Sequence, residues 1–162
     1  MKKKAILIIF ICLITIAAAG FGAYRLLYKT GGDALFSVGE KEVTRTVKMK
    51  KLSLIPGGEQ SQSLTVKADS TGTYEFSFEF EKTKDGGLAP FVTVEILLGE
   101  TSLGVKGLDE CLSGESFFSQ KLLEESETVT ASFVYRMAGD ADDEAQGKSV
   151  GFEIDVTAKK AD

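Results

Sequence analysis

Residues 74–81 read Tyr74-Glu75-Phe76-Ser77-Phe78-Glu79-Phe80-Glu81. Successive side chains of a β-strand point to opposite faces, so this run carries one aromatic face for a core and one acidic face for water. A helix would scatter the four rings around its circumference. Working outward, the same period of two recurs. It is weaker over residues 43–49, then appears at Leu64 and Val66, and again at Val92, Val94, Ile96 and Leu98. Toward the C-terminus Val129, Ala131, Phe133, Tyr135 and Met137 form one face, and Val150, Phe152, Ile154 and Val156 another. Turn chemistry separates these runs: Pro56-Gly57-Gly58, Ser70-Thr71-Gly72, Lys84-Asp85-Gly86-Gly87, and residues 139–147. Runs that alternate, rather than being solidly apolar, predict antiparallel sheets packed face to face. The expected fold is all-β, an antiparallel β-sandwich of jelly-roll-like or immunoglobulin-like type with about six to eight strands. Residues 104–127 break the rhythm, and residues 119–125 are expected to form a short helical turn or a loop crossing between the sheets.

The N-terminus is of another kind. Lys2, Lys3 and Lys4 precede residues 5–24, AILIIFICLITIAAAGFGAY, twenty residues without a charge. As a helix this stretch is about 30 Å long, the thickness of a bilayer's hydrocarbon core. It also has the layout of a cleaved export signal, with Ala17 and Ala19 at the −3 and −1 positions of a small-residue site. Both readings put residues 5–24 in the membrane at least during export, and the lysines hold the N-terminus inside. Two parts follow: residues 1–30, a signal peptide or transmembrane anchor with a short linker, and residues 31–162, an extracytoplasmic β-sandwich domain. The modest net charge of −5 divides accordingly. Residues 1–30 carry five bases and no acid, leaving fourteen bases against twenty-four acids, −10, for residues 31–162.

Composition removes much chemistry. Without a single His, no Ser-His-Asp or Cys-His relay and no His-ligated zinc can be built. Cys12 lies in the apolar segment, so Cys111 is left without a partner in the exported part and reads as a structural thiol. Glu75, Glu79 and Glu81 share an exposed strand face, which solubility explains without glycosidase chemistry. No glycine-rich phosphate loop, Cys-x-x-Cys pair or nucleophile elbow is present, and the chain is expected not to be an enzyme. Lys50-Lys51 and Lys159-Lys160 are isolated basic pairs on an acidic domain, so nucleic acid is not an expected partner. The densest acidic stretch supplies the one metal expectation, a weak Ca²⁺ site at Asp140, Asp142, Asp143 and Glu144. Asp140, Asp142 and Glu144 have the one-three-five spacing of a calcium loop, but Ala145 stands where that loop needs Gly and Gly151 where it needs Glu.

Several features together resemble a known family. A lysine-led export segment runs into Gly20-Phe21-Gly22-Ala23-Tyr24, and Leu54-Ile55-Pro56-Gly57-Gly58-Glu59 leads to Leu64-Thr65-Val66-Lys67. Gln146-Gly147 precedes the last strand pattern. This layout is similar to that of the TasA and camelysin-like exported β-proteins of Gram-positive bacteria, which carry dedicated signal-peptidase signals. The resemblance implies a cell-surface sandwich able to join fibres of a biofilm matrix by donating or accepting a strand. The protease activity associated with part of that family is not implied, since its zinc site needs His. Two functions stay open: a structural or interaction module assembling with itself or a matrix protein through strand edges, and a membrane-anchored extracellular domain binding a glycan, peptide or cation.

Overall fold

A computed structural model describes residues 34–141 and 143–161, the side chains of Ala34 and Asp143 excepted. Residues 5–24, Cys12 and Asp142 lie outside the described residues. Among the described residues no helix is long and apolar enough to cross a membrane.

The strands, in chain order, are β1 (Ala34–Val38), β2 (Val43–Leu52), β3 (Glu59–Ala68), β4 (Gly72–Gly86), β5 (Val92–Leu98), β6 (Thr101–Gly107), β7 (Phe117–Leu123), β8 (Thr128–Met137) and β9 (Ser149–Lys160). A single helical turn, α1 (Leu108–Leu112), separates β6 from β7. They form a five-stranded sheet in the order β1-β3-β8-β5-β6 and a four-stranded sheet in the order β2-β9-β4-β7. The pairing is nested. Strand β5 pairs with β6, β4 with β7, β3 with β8 and β2 with β9, all antiparallel. Each pair encloses the one before, so the chain behaves as one long hairpin rolled into two sheets, which is the jelly-roll solution rather than the immunoglobulin one. Strand β1 is added at the edge, parallel to β3, with Ala34 opposite Leu64 and Val38 opposite Ala68.

The core lies between the sheets. Tyr74, Phe76, Phe78 and Phe80 of β4 all face inward and are buried, as their alternation with acids dictates. Phe78 meets Phe133 of the opposite sheet edge to face at 5.9 Å between ring centroids, and Tyr135 meets Phe152 at 5.4 Å. Burying one such side chain contributes about 1.5–3 kcal/mol, so the aromatic faces dominate the folding free energy. The polar ends of the buried tyrosines are matched: Tyr74 donates to the Ser70 carbonyl at 2.8 Å and Tyr135 to Gln62 Oε1 at 3.2 Å. Gln62 in turn donates to the Lys48 carbonyl at 3.3 Å, linking the two sheets through the interior. Cys111, on α1, is buried and free, and burial pushes its thiol up to about 11.

The sandwich agrees with the alternating runs, and two details differ. Among the described residues nine strands form rather than six to eight, because the short β1 and the exposed β6 lack a readable alternation. Residues 119–125 are not a helical turn or crossing loop: most of that stretch belongs to β7, while the helical turn sits earlier at α1. Strand β7 hides its period by being apolar at both ends on both faces, Phe117 and Leu123 inward, Phe118 and Leu122 outward. Its place is set by backbone pairing with β4, from Gly72 opposite Leu123 to Phe78 opposite Phe117.

Candidate functional site

The outer face of the four-stranded sheet collects the side chains that alternation expels from the core. Cross-strand register aligns them in rows. Glu75 of β4 lies between Gln120 of β7 and Lys159 of β9. Gln120 Nε2 donates to its Oε1 at 2.8 Å, and Lys159 Nζ lies 2.8 Å from its Oε2. The hydrogen bond from Lys159, then that from Gln120, holds the Glu75 carboxyl below its ordinary range. Glu75 is therefore an ionised acceptor, the reverse of what a general acid needs. The next row runs Phe118, Ser77, Thr157, Thr44, and the two threonine hydroxyls are 2.8 Å apart. Beyond it Thr46 donates to Asp155 at 2.6 Å, and Lys48 pairs with Glu153 at 2.8 Å.

Two adjoining concavities open on this face. One, of about 590 Å³, is lined by Glu40, Glu42, Glu75, Gln120, Lys159, Lys160 and Ala161. The other, of about 420 Å³, is lined by Glu75, Phe76, Phe118, Ser119 and Gln120, so Glu75 and Gln120 belong to both. Lys160 Nζ is tied to Glu40 at 3.0 Å and to Ser70 Oγ at 3.1 Å, which closes one wall. Phe118 stands over the other end with 70% of its surface exposed, although aromatic rings usually bury most of theirs. A flat apolar ring beside fixed donors and acceptors can stack on one face of a ligand while the polar row reads its edge.

Of the glutamates singled out in the sequence, Glu79 and Glu81 are exposed and Glu75 is the one built into the row. Phe118 and Gln120 escaped sequence reasoning because residues 104–127 break the alternation and did not read as strand. The expected Ca²⁺ loop is described only in part. Asp140 and Glu144 are exposed, a 3₁₀ turn covers Asp143–Ala145, and Asp142 and the Asp143 side chain lie outside the described residues. Among the described residues no three acidic or cysteine side chains converge on a cation position.

No protein-family model matches the sequence, and no curated protein matches it. Solved structures are similar at low identity. The C-terminal CBM6 of the laminarinase LamC from Zobellia galactanivorans is 12% identical over 74% of this chain and 100% of that one, with a TM-score of 0.37. The C-terminal domain of the sugar-binding protein EclA is 13% identical over 72% of this chain and 79% of that one, TM-score 0.42. The pre-peptidase C-terminal domain of a Bacillus anthracis collagenase is 12% identical over 77% and 96%, TM-score 0.34. Likenesses this distant say nothing about a ligand.

Proposed function

We propose that the chain is a non-catalytic extracytoplasmic binding domain that takes an uncharged glycan on the outer face of its four-stranded sheet. The observation that carries this reading is the exposed Phe118 ring beside the Gln120–Glu75–Lys159 row. Sugars present apolar ring faces and paired hydroxyls, and the row offers a carboxylate to accept, with an amide and an ammonium to donate. The lining residues Glu40, Glu42 and Glu75 outnumber Lys159 and Lys160, which disfavours an acidic polysaccharide. The head, Met1 to Tyr24 with its three lysines and uncharged run, supports a domain held or released outside the membrane.

Binding is tested with the full-length protein against a panel of neutral polysaccharides by affinity electrophoresis, followed by titration calorimetry on the best ligand. Phe118→Ala and Lys159→Ala each weaken binding about tenfold or more, the scale of losing one stacking or charged hydrogen-bonded contact. Retardation by no neutral glycan, or unchanged affinity in both variants, rejects the site. Mass spectrometry of the mature N-terminus settles whether the domain is anchored: an intact Met1 or Lys2 in the membrane fraction indicates an anchor, and a start after Ala19 a released protein.

A further inference from the structure

Strand β7 ends the four-stranded sheet, paired on one side with β4 and with no second strand beside it among the described residues. An unpaired strand edge presents a row of backbone donors and acceptors that template another strand. Edges are commonly protected by charge on the strand. Strand β2, at the other end of the same sheet, carries Arg45, Lys48, Lys50 and Lys51. The one charged side chain of β7, Lys121, lies near Gly99 in the turn between β5 and β6, and the strand's two outward apolar residues, Phe118 and Leu122, are 70% and 67% exposed.

The strand is also nearly palindromic about its centre, FFSQKLL. We propose that β7 pairs antiparallel with β7 of a second copy, the two-fold axis passing through Gln120, so that the two four-stranded sheets join into one of eight. In this register Phe117 faces Leu123 of the partner copy, Phe118 faces Leu122, Ser119 faces Lys121 and Gln120 faces Gln120. Both exposed apolar residues on each copy gain an apolar neighbour. No like charges stand opposite each other, because the single lysine meets a serine and the Glu75 carboxylates are each one strand back from the axis. A two-fold contact needs a self-complementary patch, and a closed pair leaves this edge with no further template. The pair stands whether or not the sheet face takes a glycan.

The test uses the full-length chain in detergent with Cys12→Ala, leaving Cys111, which is buried. Single cysteines are introduced at Gln120, Phe118, Leu122 and, on the far edge strand, Thr46, and treated with a thiol linker spanning about 5 Å, the Cβ spacing of directly opposed residues. Gln120→Cys crosslinks to itself, and Phe118→Cys crosslinks when mixed with Leu122→Cys but not alone. Thr46→Cys does not crosslink. Crosslinking at Thr46 as strong as at position 120, or at Phe118→Cys alone as strong as in the mixture, overturns the proposal. Gln120→Lys is the second arm, since it keeps a partner for Glu75 while placing two ammonium groups on the axis. It raises the dimer dissociation constant about tenfold or more by native mass spectrometry with the circular dichroism spectrum unchanged; an unaltered dimer, or a wild-type protein that is monomeric, refutes β7 pairing. Lys159→Ala leaves crosslinking intact even where it weakens glycan binding, so the two readings fail separately.

Discussion

The interior link between the sheets offers a sharp test. Tyr135 on β8 is fully buried and donates to Gln62 Oε1 at 3.2 Å, while Gln62 on β3, 7% exposed, donates to the Lys48 carbonyl on β2 at 3.3 Å. Tyr135→Phe leaves the Gln62 oxygen without that donor and costs about 1–2 kcal/mol. Gln62→Leu removes both bonds, leaving a buried hydroxyl stranded, and costs about 2–4 kcal/mol. Replacing both together by apolar groups strands only the Lys48 carbonyl. The double variant therefore loses less than the sum of the singles by about 1–2 kcal/mol, as expected for residues in one network. Urea unfolding of the four proteins measures this coupling, and for a domain of this size each kcal/mol also moves the melting temperature by about 3–5 °C. Losses that add within about 0.3 kcal/mol would refute a hydrogen-bonded bridge.

Other outcomes follow from burial. Phe133→Ala, at a fully buried ring packed on Phe78, costs about 3–5 kcal/mol in the same assay, whereas Leu35→Ala, 62% exposed, stays within about 0.5 kcal/mol. In a Cys12→Ala background the Cys111 thiol, raised to about 11 by burial, resists a thiol reagent at pH 8 and reacts once urea unfolds the domain. The same shift sets an alkaline limit. The unfolded thiol ionises near its ordinary 9.0 and the folded one near 11, so the unfolded chain binds fewer protons and stability falls as pH rises from about 9 to 11. Burial raises Tyr135 well above 10.0 and extends the loss to higher pH. In acid the sign reverses: Glu75, held low by Lys159 and Gln120, and Glu95, held low by Arg136 and Ser102, contribute stability above 4.5 that is lost as pH falls through their lowered values. Melting temperatures across pH check both limbs.

The runs that were legible in the sequence are those where one face is wholly core. Tyr74 to Phe80, Val129 to Met137 and Val150 to Val156 each put every second residue in the interior, so hydrophobic transfer alone imposes the period, and all three are strands with that face buried. The absence of His and the charge division at residue 30 are likewise properties of composition. What failed to show is where packing is shared between faces. Strand β7 has apolar residues inward and outward, and its conformation depends on hydrogen bonds to β4, some forty-five residues earlier in the chain at the Glu75–Gln120 pair. Gln120 and Phe118 come beside Glu75 and Lys159 through that pairing and through β4 with β9, neither of which leaves a local signal.

The sequence by itself therefore determined an all-β sandwich and its aromatic interior, because local alternation reports directly on transfer between water and an apolar phase. Only the tertiary structure decided the jelly-roll order, strands β1, β6 and β7, and the Gln120–Glu75–Lys159 row, because register between strands distant in the chain is a long-range property that no window of residues contains.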